Sequence, residues 1–259
     1  VQTLNRDSHL MEYRPDAFDC IVLDEAHHTS ADTYQKVMNY FKPKFWLGMT
    51  ATPDKRDDNI AGKNIYEIFN YQIAYEIRLQ QAMEENLLCP FHYFGISDIS
   101  WISEKQIKSK KMTERDFNIL TGDERVRHII EQANYFGYSG DRVKGLIFCS
   151  RIDEAKELSE KMNEKGWRTL VLSGSDSESV RTNAIERLAG EESEEALDYI
   201  LSVDIFSEGV DVPEINQVIM LRPTQSPIVF IQQLGRGLRK AYGKEYVVIL
   251  DFIGNYNNN

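Results

Sequence analysis

Cysteine is scarce in this sequence: Cys20, Cys89 and Cys149 stand far apart in 259 residues. Their spacing fits no zinc pattern and no disulfide framework, so they read as buried thiols in a reducing, cytoplasmic compartment. No apolar run approaches the roughly 18 residues that a membrane span needs. The first residues are mixed and polar, without the apolar stretch of a secretory leader. The start at Val1 rather than Met is what a fragment or a processed chain would show. Positive charge is in deficit, with 30 Lys and Arg against 41 Asp and Glu and a net charge of -11. That balance disfavours a protein that coats nucleic acid through bulk attraction, although a few local donors could still touch phosphates. Internal repeats and low-complexity tracts are missing, apart from the asparagines after Tyr256.

What is present is an ordinary globular composition, 42% hydrophobic and 27% charged, which sets aside a disordered chain. The length accommodates two domains of about 100–150 residues. Short apolar runs predict strands at Cys20–Leu23, Phe45–Met49, Phe91–Ile96, Leu146–Cys149, Thr169–Leu172, Tyr199–Val203, Val218–Leu221 and Tyr246–Leu250. Helical patterns fall between several of them, which predicts an α/β fold with mainly parallel sheets covered on both faces. Ser150 and Asp153 have the spacing of a capping box. A stripe of Ile152, Ala155, Leu158 and Met162 follows, and Gly166 ends it. Val180, Ala184, Ile185 and Leu188 form the next stripe, up to Gly190, and Ser226-Pro227 is a helix start. Residues 97–123 are polar with weak periodicity, and Glu191–Glu195 reads as an acidic surface turn. A boundary near residue 88 leaves the first part, 1–88, with too few strands for a complete sheet domain and gives 89–259 the rest.

Four places carry chemistry. Ile21-Val22-Leu23 runs into Asp24-Glu25-Ala26-His27-His28, an apolar strand ending in two carboxylates and two histidines. Ligands of parallel α/β sheets bind beyond the carboxyl ends of strands. There Asp24 could hold Mg²⁺ and Glu25 could deprotonate a water; a solvated polar turn is the alternative. No third ligand is spaced to make a zinc site with the histidines. Phe45–Met49 likewise runs into Thr50-Ala51-Thr52-Pro53, hydroxyls at a strand exit. A third strand leads into a loop holding Asp204, Glu208, Gly209 and Asp211. Last comes Gln232-Gln233-Leu234-Gly235-Arg236-Gly237-Leu238-Arg239-Lys240. On a helix from Pro227, Gln232, Arg236 and Arg239 share one face. The bland reading is an amphipathic helix with cations near its C-terminus; two guanidinium forks would also suit a transferring phosphoryl group.

In this order the residues resemble superfamily 2 helicases over almost the whole chain. Asp24-Glu25-Ala26-His27 matches motif II, a DEAH box, and Thr50-Ala51-Thr52 looks like motif III. Leu146–Arg151 resembles motif IV, Ser202–Asp211 motif V, and Gln232–Arg239 motif VI. The likeness is closest to the restriction-type group of type I and type III restriction motor subunits, and within it to bacterial helicases that carry a phospholipase-D-like nuclease domain before the motor. The doubled histidine, Gln232 where many RNA helicases have His, and the stretch Leu250–Tyr256 carry that likeness.

The resemblance implies two RecA-like domains, the first incomplete, with ATP hydrolysed between them while the motor moves on nucleic acid, DNA before RNA. It implies that Asp24 coordinates Mg²⁺, that Glu25 activates water, and that His27, Thr50 and Thr52 couple hydrolysis to movement. Gly209, Asp211 and Gln232 would meet the nucleotide, and Arg236 and Arg239 would reach its phosphates. Ser150-Arg151 and Gly174-Ser175 are candidate phosphate contacts of the nucleic-acid track, with plain capping as the alternative. Lys105, Lys108, Lys110 and Lys111 read as a solvated loop or a basic patch. There are departures: Thr50 stands where many relatives have Ser, and Ser202 where many have Thr. The phosphate loop that ends in Gly-Lys-Thr or Gly-Lys-Ser is not in the sequence, since Gly62-Lys63 precedes Asn64 and Gly243-Lys244 precedes Glu245. The chain therefore reads as beginning after that loop, as a fragment with little ATPase activity of its own. A non-catalytic docking module with helicase architecture and an RNA helicase remain as rival readings.

Overall fold

The computed structural model describes residues 1, 3–50, 64–97, 118–203, 212–221, 235 and 238–253. The chain divides into two compact units, Val1–Ile77 and Arg78–Asn259. The division falls ahead of the short helix Leu79–Glu84, while the boundary expected near 88 lies behind it.

In the first unit, strand β1 (Cys20–Leu23) pairs in parallel with β2 (Phe45–Gly48), Cys20 opposite Phe45 and Leu23 opposite Gly48. Parallel neighbours need a crossover, and helix α1 (Asp32–Tyr40) lies in it. Its Val37, with Leu10 and Phe41, forms a small core against which Ile21 and Trp46 pack. The other face of β1 is open: Val22 is half exposed and Cys20 is exposed. The expectation of three buried thiols therefore fails at Cys20, because alternate residues of a strand face opposite ways and this one faces outward.

The second unit holds a six-stranded, wholly parallel sheet in the order β3-β8-β7-β4-β6-β5. The strands are β3 (Phe91–Ser97), β4 (Gly145–Phe148), β5 (Thr169–Leu172), β6 (Tyr199–Ser202), β7 (Gln217–Met220) and β8 (Val247–Ile253). Strands β4, β6 and β7 are buried along their whole length, which is why they read as unbroken apolar runs. Helices α2 (Asp123–Phe136) and α3 (Ile152–Glu164) supply Val126, Ile129, Ala155, Leu158 and Met162 to the core on one face. Helix α4 (Glu178–Ala189) supplies Ala184 and Leu188 to the core on the other. The chain leaves β4 toward β5 and leaves β7 toward β8, on opposite sides, so the carboxyl ends of β4 and β7 flank a switch point of the kind where α/β sheets bind ligands.

Candidate functional site

In the first unit the site is built by the ladder running past the strand ends. The N–H of Met49 donates to Leu23 O at 2.9 Å, and that of Ala26 donates to Met49 O at 2.8 Å. This stitching brings Thr50 beside the residues that follow β1. Asp24 is exposed there, and its Oδ1 accepts the Glu25 N–H at 2.9 Å. Glu25 takes the left-handed conformation, φ 49° and ψ 46°, which costs an L-residue roughly 1–2 kcal/mol. The turn it makes starts the single 3₁₀ turn Ala26–His28 directly on the strand end.

The consequence is a compact triad of side chains. The His27 ring is 2% exposed, and its Nδ1 lies 3.1 Å from Glu25 Oε2 and 3.0 Å from Thr50 Oγ1. Nδ1 is hydrogen-bonded to the Thr50 hydroxyl, and the Glu25 carboxylate lies beside it within ion-pair distance. The His28 ring lies against that of His27, tilted by 47° with ring centroids 4.1 Å apart. Thr29, fully buried, donates its hydroxyl to Ala26 O at 2.6 Å and closes the turn. Gly48 is required in β2 because a Cβ there would come within 2.5 Å of the Phe69 ring. Asp24 suits a hard cation such as Mg²⁺: one carboxylate oxygen is fixed by a main-chain N–H and the residue faces solvent. Among the described residues no group of three or more His, Cys, Asp or Glu side chains could hold a metal. A Mg²⁺ ion at Asp24 would thus draw its other oxygens from phosphate and water, as this ion commonly does. Thr52 lies outside the described residues.

In the second unit, several predicted contacts gather at the carboxyl edge of the sheet. The Cys149 N–H donates to Ser202 O at 2.9 Å, which carries β4 on into Ser150 and Arg151. The expected capping box does not form. Arg151, not Ser150, is the N-cap of α3, and its side chain makes no cap bond. Glu154 reaches back instead, its Oε2 accepting the Ser150 N–H at 2.9 Å, while Asp153 Oδ1 accepts the Glu154 N–H at 2.9 Å. Two carboxylates therefore already occupy this helix start, and any phosphate contact falls to the Ser150 and Arg151 side chains. Arg151 is forked onto Asp153, which holds the Asp153 carboxyl below the usual range. Beyond β5, Ser175 Oγ lies 2.8 Å from Ser173 Oγ, and Arg181 Nη2 donates to Gly174 O at 2.8 Å. Buried polar atoms without partners cluster near this edge: Ser150 Oγ, Ser202 Oγ and Arg181 Nε. Each unmade bond costs about 1–3 kcal/mol. Sequence reasoning missed Arg181, and missed Glu154 despite its place beside the apolar stripe of α3, while Ser202 entered only through the likeness to motif V.

Arg239 is exposed and lies on a bend after Leu238, beyond the helical residue Gly235, so it does not continue a helix face as expected. Leu238 is buried, and its carbonyl accepts the Cys89 N–H at 2.7 Å. Gly209, Asp211, Gln232 and Arg236 lie outside the described residues, as do the lysines from Lys105 to Lys111.

Parallel sheets whose strand ends carry these motifs define RecA-like helicase units. Residues 1–55 match the family described as type III restriction enzyme, res subunit, and residues 124–241 match the helicase conserved C-terminal domain. Over these two segments the chain is similar to restriction-type superfamily 2 helicases. It is 26% identical over 267 residues to the Irc3 helicase of Saccharomyces cerevisiae (strain ATCC 204508 / S288c), covering 98% of this chain and 36% of that protein. It is 24% identical over 270 residues to the type I restriction enzyme EcoAI endonuclease subunit of Escherichia coli, covering 92% of this chain and 32% of that protein. The chain thus spans about a third of the length of these curated relatives. Among solved structures, a fragment of a type I restriction HsdR subunit from Vibrio vulnificus YJ016 superposes with a TM-score of 0.73 at 23% identity, over 96% of this chain and 46% of that one. The type ISP restriction-modification enzyme LlaBIII bound to DNA gives 0.66 at 20% identity, over 97% and 19%. Both likenesses are of fold. No helix among the described residues is long and apolar enough to cross a membrane.

Proposed function

We propose that this chain is the larger part of the motor core of a nucleic-acid-dependent ATPase, an ATP-dependent DNA helicase or translocase. The observation that carries the reading is the contact of Glu25 and Thr50 through the buried His27. It ties a candidate base to the next strand end, so a change at the nucleotide can be passed along the sheet. In this reading Glu25 deprotonates the attacking water, Asp24 holds the Mg²⁺ that accompanies ATP, and His27 with Thr50 and Thr52 relays the event. Gly209, Asp211 and Gln232 are assigned to the nucleotide, and Arg236 and Arg239 to its phosphates. Ser150, Arg151, Gly174 and Ser175 are assigned to the nucleic-acid backbone, supported by the unpartnered hydroxyls of Ser150 and Ser202 at the same edge. DNA is preferred to RNA because relatives include a type I restriction subunit and an enzyme solved on DNA. A nuclease domain in the same polypeptide and a cytoplasmic setting belong to this proposal.

The test is Glu25→Gln in a polypeptide that supplies a phosphate loop. Turnover should fall by about 10²–10⁴, the usual worth of a general base, while ATP still binds. Turnover within a few-fold of wild type would remove Glu25 from the role. ATPase stimulation by DNA should exceed that by RNA; the reverse makes the track RNA. The purified chain, which carries no Gly-Lys-Thr or Gly-Lys-Ser, should hydrolyse little ATP. Brisk Mg²⁺-dependent turnover by it would mean that other groups hold the phosphates.

A further inference from the structure

The turn that carries Ser150 and Arg151 rests on a buried ion pair. Glu154 is fully buried and Arg125, from α2, is 3% exposed. Glu154 Oε1 accepts from Arg125 Nη1 at 3.2 Å, and its Oε2 accepts the Ser150 N–H at 2.9 Å. Arg125 Nη1 also donates to Leu120 O at 2.8 Å, which anchors the pair to the segment before α2. The main-chain N–H of Ser150 is therefore drawn inward onto this carboxylate. Burial pushes the Glu154 carboxyl up, and Arg125 with the Ser150 N–H pulls it back.

A buried ion pair is weak support for stability, because a well-packed apolar pair of similar volume is often as stable. What this pair does that an apolar pair could not is to fix the backbone of Ser150 and Arg151. Around it stand the Ser150 hydroxyl, buried and without a partner, and the Arg151 guanidinium, 37% exposed and steadied by Asp153. We propose, building on the nucleic-acid reading above, that Arg125 and Glu154 are positioning residues that hold the Ser150–Arg151 turn in the conformation that binds a phosphate of the nucleic-acid strand.

Two neutral replacements of the pair separate positioning from folding. Arg125→Met/Glu154→Gln keeps an oxygen that can accept the Ser150 N–H, whereas Arg125→Met/Glu154→Leu keeps the packing and loses the acceptor. Both are made in the full chain, checked for equal thermal midpoints, and titrated with fluorescently labelled single-stranded and duplex DNA. The glutamine pair should bind within about three-fold of wild type, and the leucine pair should bind roughly ten-fold more weakly, the worth of a lost charge-assisted contact. Ser150→Ala and Arg151→Ala serve as reference. Arg151→Ala should weaken binding and lower the slope of log K against log salt by about one. Equal affinity of the two pairs, with Ser150→Ala or Arg151→Ala still weakened, overturns the positioning role alone. Wild-type affinity in both Ser150→Ala and Arg151→Ala removes the turn from the nucleic-acid site and the proposal with it. If the leucine pair does not fold, Arg125→Met/Glu154→Met makes the same comparison.

Discussion

One hydroxyl and one imidazole join the strand ends of the first unit. Thr50 Oγ1 is 3.0 Å from the His27 ring, which lies 3.1 Å from Glu25. Thr50→Val keeps the shape and removes only that hydroxyl. The His27–Glu25 contact survives, so the base keeps its orientation while its link to β2 is cut. In a polypeptide with a phosphate loop, basal ATP turnover should therefore stay within about three-fold of wild type, a lost neutral hydrogen bond being worth about 1 kcal/mol. The nucleic-acid-stimulated increment should fall by more than that. Parallel loss of basal and stimulated rates would show that Thr50 serves the chemical step and not the coupling. The left-handed Glu25 sharpens the expectation, because backbone strain of this kind gathers where a side chain must be aimed.

At the scale of elements, the second unit is closed by a side chain that no pattern announced. Arg142 is buried, and its guanidinium collects the carbonyls at the end of α4, Leu188 at 2.6 Å and Arg187 at 3.2 Å, with Gly190 at 3.0 Å and Leu197 at 2.8 Å. The last carbonyls of a helix have no partner within it. Arg142→Met leaves several of them buried and unbonded, and should destabilise this unit by about 3 kcal/mol, read as a lower urea midpoint with an unchanged slope. A loss under about 1 kcal/mol would mean that water replaces the guanidinium. The same contrast explains what was legible in the sequence. All eight predicted strands exist: β4, β6 and β7 because parallel strands buried on both faces must be apolar throughout, and the partly exposed β1, β2 and β3 because short apolar runs bounded by turn residues also mark strands, both local properties. The Ser150 box failed because Glu154, four residues on, takes the Ser150 N–H, and the pairing of Glu154 with Arg125 and the role of Arg142 were missed because their partners sit far along the chain. Glu154 and Arg125 are 29 residues apart, and Arg142 reaches 46 residues to Leu188. A charged residue on the apolar side of a helix, as Glu154 is beside Leu158 one turn on, was the only local sign. In the candidate site, the strand-end placement of Asp24, Glu25, His27 and Thr50 was legible for the same local reason, whereas the inward turn of the Ser150 amide onto Glu154 was not.

For the second unit as a whole, Lys244 couples stability to alkaline pH. It stands before β8, and its Nζ donates to Ile215 O at 3.0 Å and to Pro213 O, just ahead of β7. Burial disfavours its ammonium and lowers its pKa from 10.5 to about 8, against the opposing pull of Cys89 and Glu214. Below pH 8 both folded and unfolded chains hold the proton, and the folded state carries the full cost of burying the charge. Between about 8 and 10.5 the unfolded chain binds more protons than the folded one, so this group adds stability as pH rises. Other groups act the opposite way. Burial raises the pKa values of Cys89, Cys149 and Tyr199, whose unfolded counterparts begin to ionise near 9.0 and 10.0, so their contributions fall with rising pH. The quantity to measure is therefore the difference in unfolding free energy between the chain and Lys244→Met, both carrying Cys89→Ala because Lys244 acts on that thiol, which leaves Cys149 and Tyr199 alike in both proteins. That difference should move in favour of the protein that keeps Lys244 from pH 8 upward, by no more than about 1.4 kcal/mol per pH unit, and stay flat from pH 6 to 8. A difference that is flat across the whole range would mean that Lys244 keeps its ordinary affinity for protons when folded, with its ammonium in contact with water rather than held on the carbonyls ahead of β7.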